Sequence, residues 1–533
     1  MKYVSFTLLI ISTFILTSCK NKNVETPRKK QPNFLFILVD DQPFDALEDS
    51  GRYPFLKTPN MQRLINEGAK FENYYVTQSI CSPSRASFLT GTYPHIHGVN
   101  QNNKHVDPNW KDFQPYNAHL QIAGYQTAHV GKIHMAHYRN EQHIRPGFDY
   151  WFSFIGQGEY FDPMVNDNGK EYQEKGYMTD ILTDKAITWL KEKRDPTKPF
   201  SLNLWHKAVH EDHSPAPRHN KIFKNDSLPT PPYNQHLENF AGKPEWQRLK
   251  AWDHKWKEYI PSDTLAPKPW PIKGYKFKKL LECLLAVDES LGEVLATLEE
   301  MGELDNTVII YSSDNGYFMG EHGYWDKRIA YENSMKIPML IRYPEKIKPG
   351  TKIASNALNI DLAPTILELA GIEKPSYMQG ESMVNLLAGT EQNWRDAFMF
   401  EYYVDDEYPY AGPNMLAIKN DKYKLVDAFL EDDIDELYNL ENDPGEMNNL
   451  INDPEYDAIE AQLRKELEAL KLKYKYNTDR DWWLKTQVPS AKKKKLEEEN
   501  FSYTSIDCLL SEARENTKKN SKKMQKHVEQ PHN

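Results

Sequence analysis

The sequence predicts an α/β fold. Three observations carry this: four strand-length segments rich in apolar residues, helical segments between them, and acidic residues directly after the first and the last. Asn33-Phe34-Leu35-Phe36-Ile37-Leu38-Val39 lacks the polar alternation of a half-exposed strand and suits one buried on both faces. Asp40 and Asp41 follow it, at the strand end where open α/β sheets bind ligands. Adjacent carboxylates repel, so the pair implies either a solvated loop or a bound cation.

The composition narrows the class. At 533 residues the chain has room for more than one domain and a large core, and 39% hydrophobic with 27% charged residues is globular usage. A net charge of −11 excludes a nucleic-acid partner, whose binding needs a basic footprint. It also means that an anionic substrate needs a local cationic pocket.

The N-terminus reads as an address. Lys2 precedes an apolar run over residues 4–16, broken only by Ser5, Thr7, Ser12 and Thr13, which is short for a membrane span and suits a secretion signal. It ends in Leu16-Thr17-Ser18-Cys19, which resembles a bacterial lipobox and implies lipidation at Cys19 and a membrane anchor; a plain signal peptide with a chance cysteine is the alternative. Residues 20–32 then form a polar tether. Cys283 and Cys508 are far apart, so no disulfide framework or zinc-type cysteine cluster is visible.

Cys81-Ser82-Pro83-Ser84-Arg85-Ala86-Ser87-Phe88-Leu89-Thr90-Gly91 comes next. Pro83 fits a first helical turn and Gly91 a left-handed stop, which puts Cys81 at a helix N-terminus with Arg85 one turn later. Residues 120–130 hold a helix that stops at Gly124 and turns into the second strand, followed by Gly131-Lys132-Ile133-His134. If strand geometry persists, Lys132 and His134 point to one side. Gly156-Gln157-Gly158-Glu159-Tyr160 and Asn166-Asp167-Asn168-Gly169 are turn material. A helix over about 179–193 leads to the third strand, Phe200-Ser201-Leu202-Asn203-Leu204-Trp205, and then to His206-Lys207-Ala208-Val209-His210. His206, His213 and His219 read as loop histidines.

Residues 214–271 have little periodicity, as functional covers do; Trp246, Trp252, Trp256 and Trp270 suit loop packing, with stacking on sugar rings the alternative. An amphipathic helix over 280–300 precedes the fourth strand, Thr307-Val308-Ile309-Ile310-Tyr311, which ends in Ser312-Ser313-Asp314-Asn315-Gly316. Side by side, the two acidic strand ends supply Asp40, Asp41, Asp314 and Asn315, an all-oxygen set for a hard cation, calcium before magnesium or zinc. From about residue 393 the chain turns Tyr-rich and acidic, with short strands over 415–419 and 423–426 and a helix opened by Asp453-Pro454. Tyr402, Tyr403, Tyr408 and Tyr410 read as structural, with a place on the pocket rim as the alternative. Lys/Glu runs after residue 490 read as a solvated tail.

Cys-x-Pro-x-Arg followed by Thr90-Gly91, with Tyr93-Pro94-His95-Ile96-His97-Gly98-Val99 after it, resembles the signature of the type I sulfatases, of the alkaline phosphatase superfamily. The resemblance spans about residues 33–450. It implies a large N-terminal mixed, mostly parallel sheet sandwiched by helices over 33–390, a smaller C-terminal α+β domain over 391–485, and the charged tail over 486–533. It also implies that a maturation enzyme oxidises Cys81 to Cα-formylglycine, whose hydrate is the nucleophile and completes a metal shell of Asp40, Asp41, Asp314 and Asn315. Arg85 would stabilise that hydrate. Gly131-Lys132-Ile133-His134 matches the family at a sulfate-binding lysine and a catalytic histidine. His210 matches its second active-site histidine, although Val209 stands where relatives usually carry proline. Lys327 matches the second sulfate-contacting lysine, and His322 is a further pocket candidate.

Sulfate esters resist attack because their oxygens already carry negative charge, so hydrolysis needs clustered cations and an activated nucleophile. The resemblance supplies both and implies a sulfatase acting on exported carbohydrate: algal polysaccharide such as ulvan or carrageenan, or glycosaminoglycan fragments. Residues 148–180 resemble bacterial relatives that act on glucosamine-6-sulfate or algal sugars. Two rival readings are a phosphodiester or phosphonate ester hydrolase of the same superfamily, and a catalytically silent sugar-binding lipoprotein.

Overall fold

The computed structural model describes residues 30–102, 106–230, 242–244, 274–391, 393–403, 414–428 and 434–477. Cys19, the tether before Lys30, the four loop tryptophans, Tyr408, Tyr410, Cys508 and the tail lie outside the described residues. The described residues from Pro32 onward belong to one compact unit. No helix among the described residues is long and apolar enough to cross a membrane.

The strands run β1 (Asn33–Val39), β2 (Ala69–Phe71), β3 (Tyr74–Tyr75), β4 (Gln126–Lys132), β5 (Tyr150–Phe154), β6 (Met164–Asp167) and β7 (Lys170–Gln173). After them come β8 (Phe200–Trp205), β9 (Thr307–Ser313), β10 (Phe318–Met319), β11 (Trp325–Asp326), β12 (Met339–Arg342), β13 (Thr351–Ile353) and β14 (Ala357–Leu358). Ten of them build one sheet in the order β13-β2-β12-β9-β1-β8-β4-β5-β6-β7. Its centre, β9-β1-β8-β4-β5, is parallel, while β12 and the β6–β7 hairpin add antiparallel neighbours.

Strand β1 shows why the apolar runs are continuous. Leu35, Ile37 and Val39 face one core, under the long helix Gly274–Glu300. Phe34, Phe36 and Leu38 face the other, which holds Ala86, Phe88 and Leu89 of the helix Cys81–Thr90. Helices therefore cover both faces, as a mostly parallel sheet requires. The long helix turns Leu281, Leu284, Leu291, Leu295 and Leu298 inward at helical spacing. The helix expected over 179–193 is regular only over Met178–Thr188 and widens into a π turn at Trp189–Lys193.

A four-stranded antiparallel sheet follows in chain order: β15 (Ala397–Tyr402), β16 (Met415–Asn420), β17 (Tyr423–Asp427) and β18 (Glu436–Asn439). The helix Asp457–Lys473 packs on it through Leu463 and Leu467. Tyr402 and Tyr403 are fully buried in the same cluster, together with Tyr75, Ile80 and Tyr93 from the N-terminal part.

Candidate active site

The site lies at the C-terminal edge of the parallel strands. Strands β1 and β9 pair in register up to Val39 and Ser313, so the residues that follow each are neighbours despite the long stretch of chain between them. The Asp314 N–H donates to the Val39 carbonyl at 2.9 Å, and the Asp41 N–H donates to Asp314 Oδ1 at 3.2 Å. Asp41 takes φ 62°, a left-handed conformation that a short polar side chain tolerates. Cys81 is the first residue of its helix, which Gly91 closes at φ 66° by donating to the Ser87 carbonyl at 2.9 Å.

Those elements converge. Cys81 Sγ lies 3.4 Å from Asp40 Oδ1 and 3.1 Å from Lys327 Nζ. Metal-ligating atoms of Asp40, Asp41, Cys81 and Asp314 all fall within 4.8 Å of one another, and all four residues are buried. Asn315 Nδ2 donates to Asp41 Oδ1 at 2.6 Å, while its buried Oδ1 has no hydrogen-bond partner among the described residues. Three carboxylates with an unused amide oxygen fit a hard divalent cation.

Cations surround this set. Arg85 Nε donates to Asp314 Oδ2 at 2.9 Å, its NH1 group donates to the Lys132 carbonyl at 2.9 Å, and its NH2 group stands 3.3 Å from Asp40 Oδ2. Lys132 pairs with Asp40, and Lys327 with Asp41. Gly131 lets β4 deliver Lys132: a Cβ there would meet the Trp205 carbonyl oxygen at 1.9 Å. His210 Nε2 lies 3.8 Å from Asp41 Oδ2, and His210 Nδ1 lies 2.5 Å from the Glu211 carbonyl oxygen.

Residues 32–372 match the Sulfatase family, and residues 320–473 match the family described as N-sulphoglucosamine sulphohydrolase, C-terminal. The chain belongs to the sulfatase family. It is therefore a sulfuric ester hydrolase. An N-acetylglucosamine-6-O-sulfatase of Bacteroides thetaiotaomicron is 35% identical over 526 residues, covering 88% of this chain and 91% of that protein. The human N-acetylglucosamine-6-sulfatase is 32% identical over 398 residues, covering 70% of this chain and 67% of its own length. A solved structure in complex with its substrate, D-glucosamine-2-N,6-O-disulfate, aligns with TM-score 0.74 and 36% identity, over 84% of this chain and 99% of that one.

Electrostatics at the sulfatase site are those of crowded buried charge. Burial would raise the Asp40 carboxyl, but Lys132, His210, Arg85 and Lys327 hold it well below the usual range. Burial pushes Asp41 up to about 7, with Asp40 and Asp314 adding to the rise and Lys327 opposing it. Asp314 is raised by burial and by Asp40. Burial and the Asp40 charge push the Cys81 thiol up, so an unmodified thiol here is protonated and a poor nucleophile. Burial lowers both His134 and His210 well below the ordinary histidine value, and Lys132 lowers each further.

One expectation needs correction. Strand geometry does not persist to His134: β4 ends at Lys132 and His134 takes φ 57°, so a backbone turn, not alternation, brings it in. The Ser82 hydroxyl donates to the His134 carbonyl at 2.5 Å and ties this turn to the helix that Cys81 opens. His206 lies in the loop just beyond β8, as expected, and is fully buried there, with Nε2 3.3 Å from Ser290 Oγ. His322 is buried too, its ring 4.5 Å from Tyr331 and 5.8 Å from Tyr324, in an aromatic enclosure.

Sequence reasoning missed Gln157, whose side-chain oxygen accepts from Lys132 Nζ. The signal was present: Gly156 and Gly158, at φ 62° and 65°, bracket it in a tight turn. It also missed Lys207, a lysine buried two residues beyond β8.

Proposed function

We propose that this sulfatase removes the 6-O-sulfate of N-acetylglucosamine units in glycosaminoglycan-like carbohydrate, using formylglycine made from Cys81 beside a calcium ion. One observation carries the reading: Cys81 opens its helix inside a ring of three carboxylates and three cations, in a chain whose relatives are N-acetylglucosamine-6-sulfatases. Asp40, Asp41, Asp314 and Asn315 would hold the calcium. That ion would supply two positive charges and acidify a hydroxyl beside it.

Formylglycine at residue 81 would supply, as its hydrate, one hydroxyl to attack sulfur as the ester S–O bond breaks and a second whose deprotonation would re-form the aldehyde as sulfate leaves. Lys132 and Lys327 face the sulfate oxygens and stabilise the charge that grows on them. Arg85, held by Asp314, fixes the base of the nucleophile helix. His134, kept neutral by burial, suits the role of proton acceptor. His210 donates to the sugar oxygen as the ester S–O bond breaks; a sulfate anion beside it favours its protonated form.

The Lys2 to Cys19 segment supports export and a lipid anchor at Cys19 in a bacterial envelope, and Cys81 calls for a formylglycine-generating maturation enzyme. The test is mass spectrometry of the peptide around residue 81 from matured protein, together with sulfate release from N-acetylglucosamine-6-sulfate. An aldehyde mass with calcium-dependent release is expected. Unmodified Cys81 in fully active protein, or faster turnover of a matched aryl phosphonate than of any sulfate ester, would overturn the reading.

A further inference from the structure

The site holds three carboxylates, Asp40, Asp41 and Asp314, against three cations, Arg85, Lys132 and Lys327, and every one of these cations is bound to a carboxylate. A fourth cation stands beside them. Lys207, two residues beyond β8, is only 4% exposed and makes no hydrogen bond and no ion pair among the described residues. Its Nζ rests 4.7 Å over the ring of Tyr160.

Lys207 is built into the site. The Tyr160 hydroxyl donates to the His210 carbonyl at 2.6 Å, and the His210 N–H donates to the Lys207 carbonyl at 3.1 Å. Tyr160 ends the turn that carries Gln157 to Lys132. One loop and one post-strand turn therefore position Lys132, Lys207 and His210 together. The Lys207 ammonium is lowered to about 8, first by burial and then by repulsion from Lys132, with Asp40, Asp212 and Glu159 opposing. Glu159 and Asp212 are exposed and form no ion pair with it.

Burying an ammonium without an anion is costly, and an aromatic face offsets only part of that cost. A residue in this position is waiting for negative charge from a ligand. We propose that Lys207 is a substrate-binding residue that donates to a sulfate oxygen beside Lys132. The depth of Lys207 favours the sulfate over a substituent at the pocket mouth. The inference rests on the site reading above, with sulfate held over residue 81.

The experiment uses matured, calcium-loaded full-length protein and inorganic sulfate as the probe, read as the competitive inhibition constant against hydrolysis of N-acetylglucosamine-6-sulfate. Lys207→Met should raise that constant by about 10-fold or more, as loss of a charge-assisted hydrogen bond does. Lys207→Arg should restore much of it. A residue that merely props up Tyr160 would shift thermal stability and leave the constant alone. An inhibition constant within twofold of wild type in Lys207→Met overturns the inference, and Lys207→Gln gives the same reading if the Met variant fails to fold. Lys132→Met separates the two levels. If it raises the constant while Lys207→Met does not, only Lys207 is excluded; if neither does, the site reading itself fails.

Discussion

Two regions of this sulfatase bury charge, and they do so in opposite ways. Beneath the small sheet, Lys424 Nζ bonds Glu446 Oε1 at 2.6 Å, Glu332 Oε1 at 2.9 Å and the Ala330 carbonyl at 3.1 Å. Nearby, Arg395 pairs with Asp361, which also accepts the N–H groups of Leu358 at 2.7 Å and Glu381 at 2.8 Å. His95 bridges Glu401 at 2.8 Å and the Tyr474 carbonyl at 3.0 Å. These groups answer one another. At the C-terminal edge of the large sheet, by contrast, carboxylates crowd together, and among the described residues the Asn315 amide oxygen has no hydrogen-bond partner and Lys207 forms no ion pair. Satisfied buried charge holds parts of a chain in register, whereas unsatisfied buried charge marks a place where a ligand completes the structure.

The sharpest way to break this contrast is at residue 81. Cys81→Ala should cut turnover by about 10,000-fold or more, as loss of a nucleophile does, and leave thermal unfolding unchanged. Among the described residues its thiol hydrogen-bonds to Asp40 and Lys327, and the substitution removes a single sulfur atom. Retention of sulfatase activity in that variant would remove Cys81 from the chemistry. Next in size is Asp314→Asn. Calcium should raise the melting temperature of the wild type, because a ligand at 100 times its Kd stabilises by about 2.7 kcal/mol. The Asn variant should show no such rise at the same concentration, and an equal rise would exclude Asp314 from the metal site.

The buried pairs beneath the small sheet, where it joins the N-terminal part, form a junction that should respond in stability without activity. Arg395→Met leaves the buried Asp361 carboxylate without its guanidinium, which should lower unfolding free energy by about 3–5 kcal/mol. Turnover per folded molecule, measured below the new transition, should stay at the wild-type level. A loss of kcat that exceeds the loss of folded protein would show that the two regions are coupled.

How much of this could be read beforehand follows the same divide. Strands such as β1 and β9 were legible because burial on both faces forces continuous apolar runs, and the helix from Cys81 to Thr90 because Pro83 and Gly91 punctuate it. The acids at the strand ends were visible too, but their adjacency was not. It depends on β1 pairing with β9 across the sheet, and periodicity carries no strand order. Lys207 was overlooked because its neighbour His210 matched a motif, and a lysine in sequence looks solvated until its burial is known. Arg395 and Asp361 had no signal at all, since an ion pair joining a helix start to a strand approach is a property of packing.

The smallest effect concerns two carboxyls that titrate alike for different reasons. Asp41 at the C-terminal edge of the large sheet and Glu436 at the junction are both raised to about 7, each first by burial. Asp41 has carboxylate neighbours that a cation would relieve. Glu436 sits against the hydroxyls of Tyr438 at 2.5 Å and Tyr331 at 3.1 Å, which with Lys243 oppose a rise that Glu446 reinforces. Between its ordinary value of 4.5 and about 7, the folded chain keeps the Glu436 proton that the unfolded chain releases, so this group's contribution to stability falls as pH rises through that window. Glu436→Gln keeps the neutral shape and should escape the fall. The variant should match wild type near pH 4, below the window, and exceed it at pH 8 by on the order of 3 kcal/mol, whether or not calcium is present. Parallel stability curves for the two proteins from pH 4 to 8 would show that Glu436 ionises normally in the folded chain and that its burial under the small sheet does not disfavour its charge.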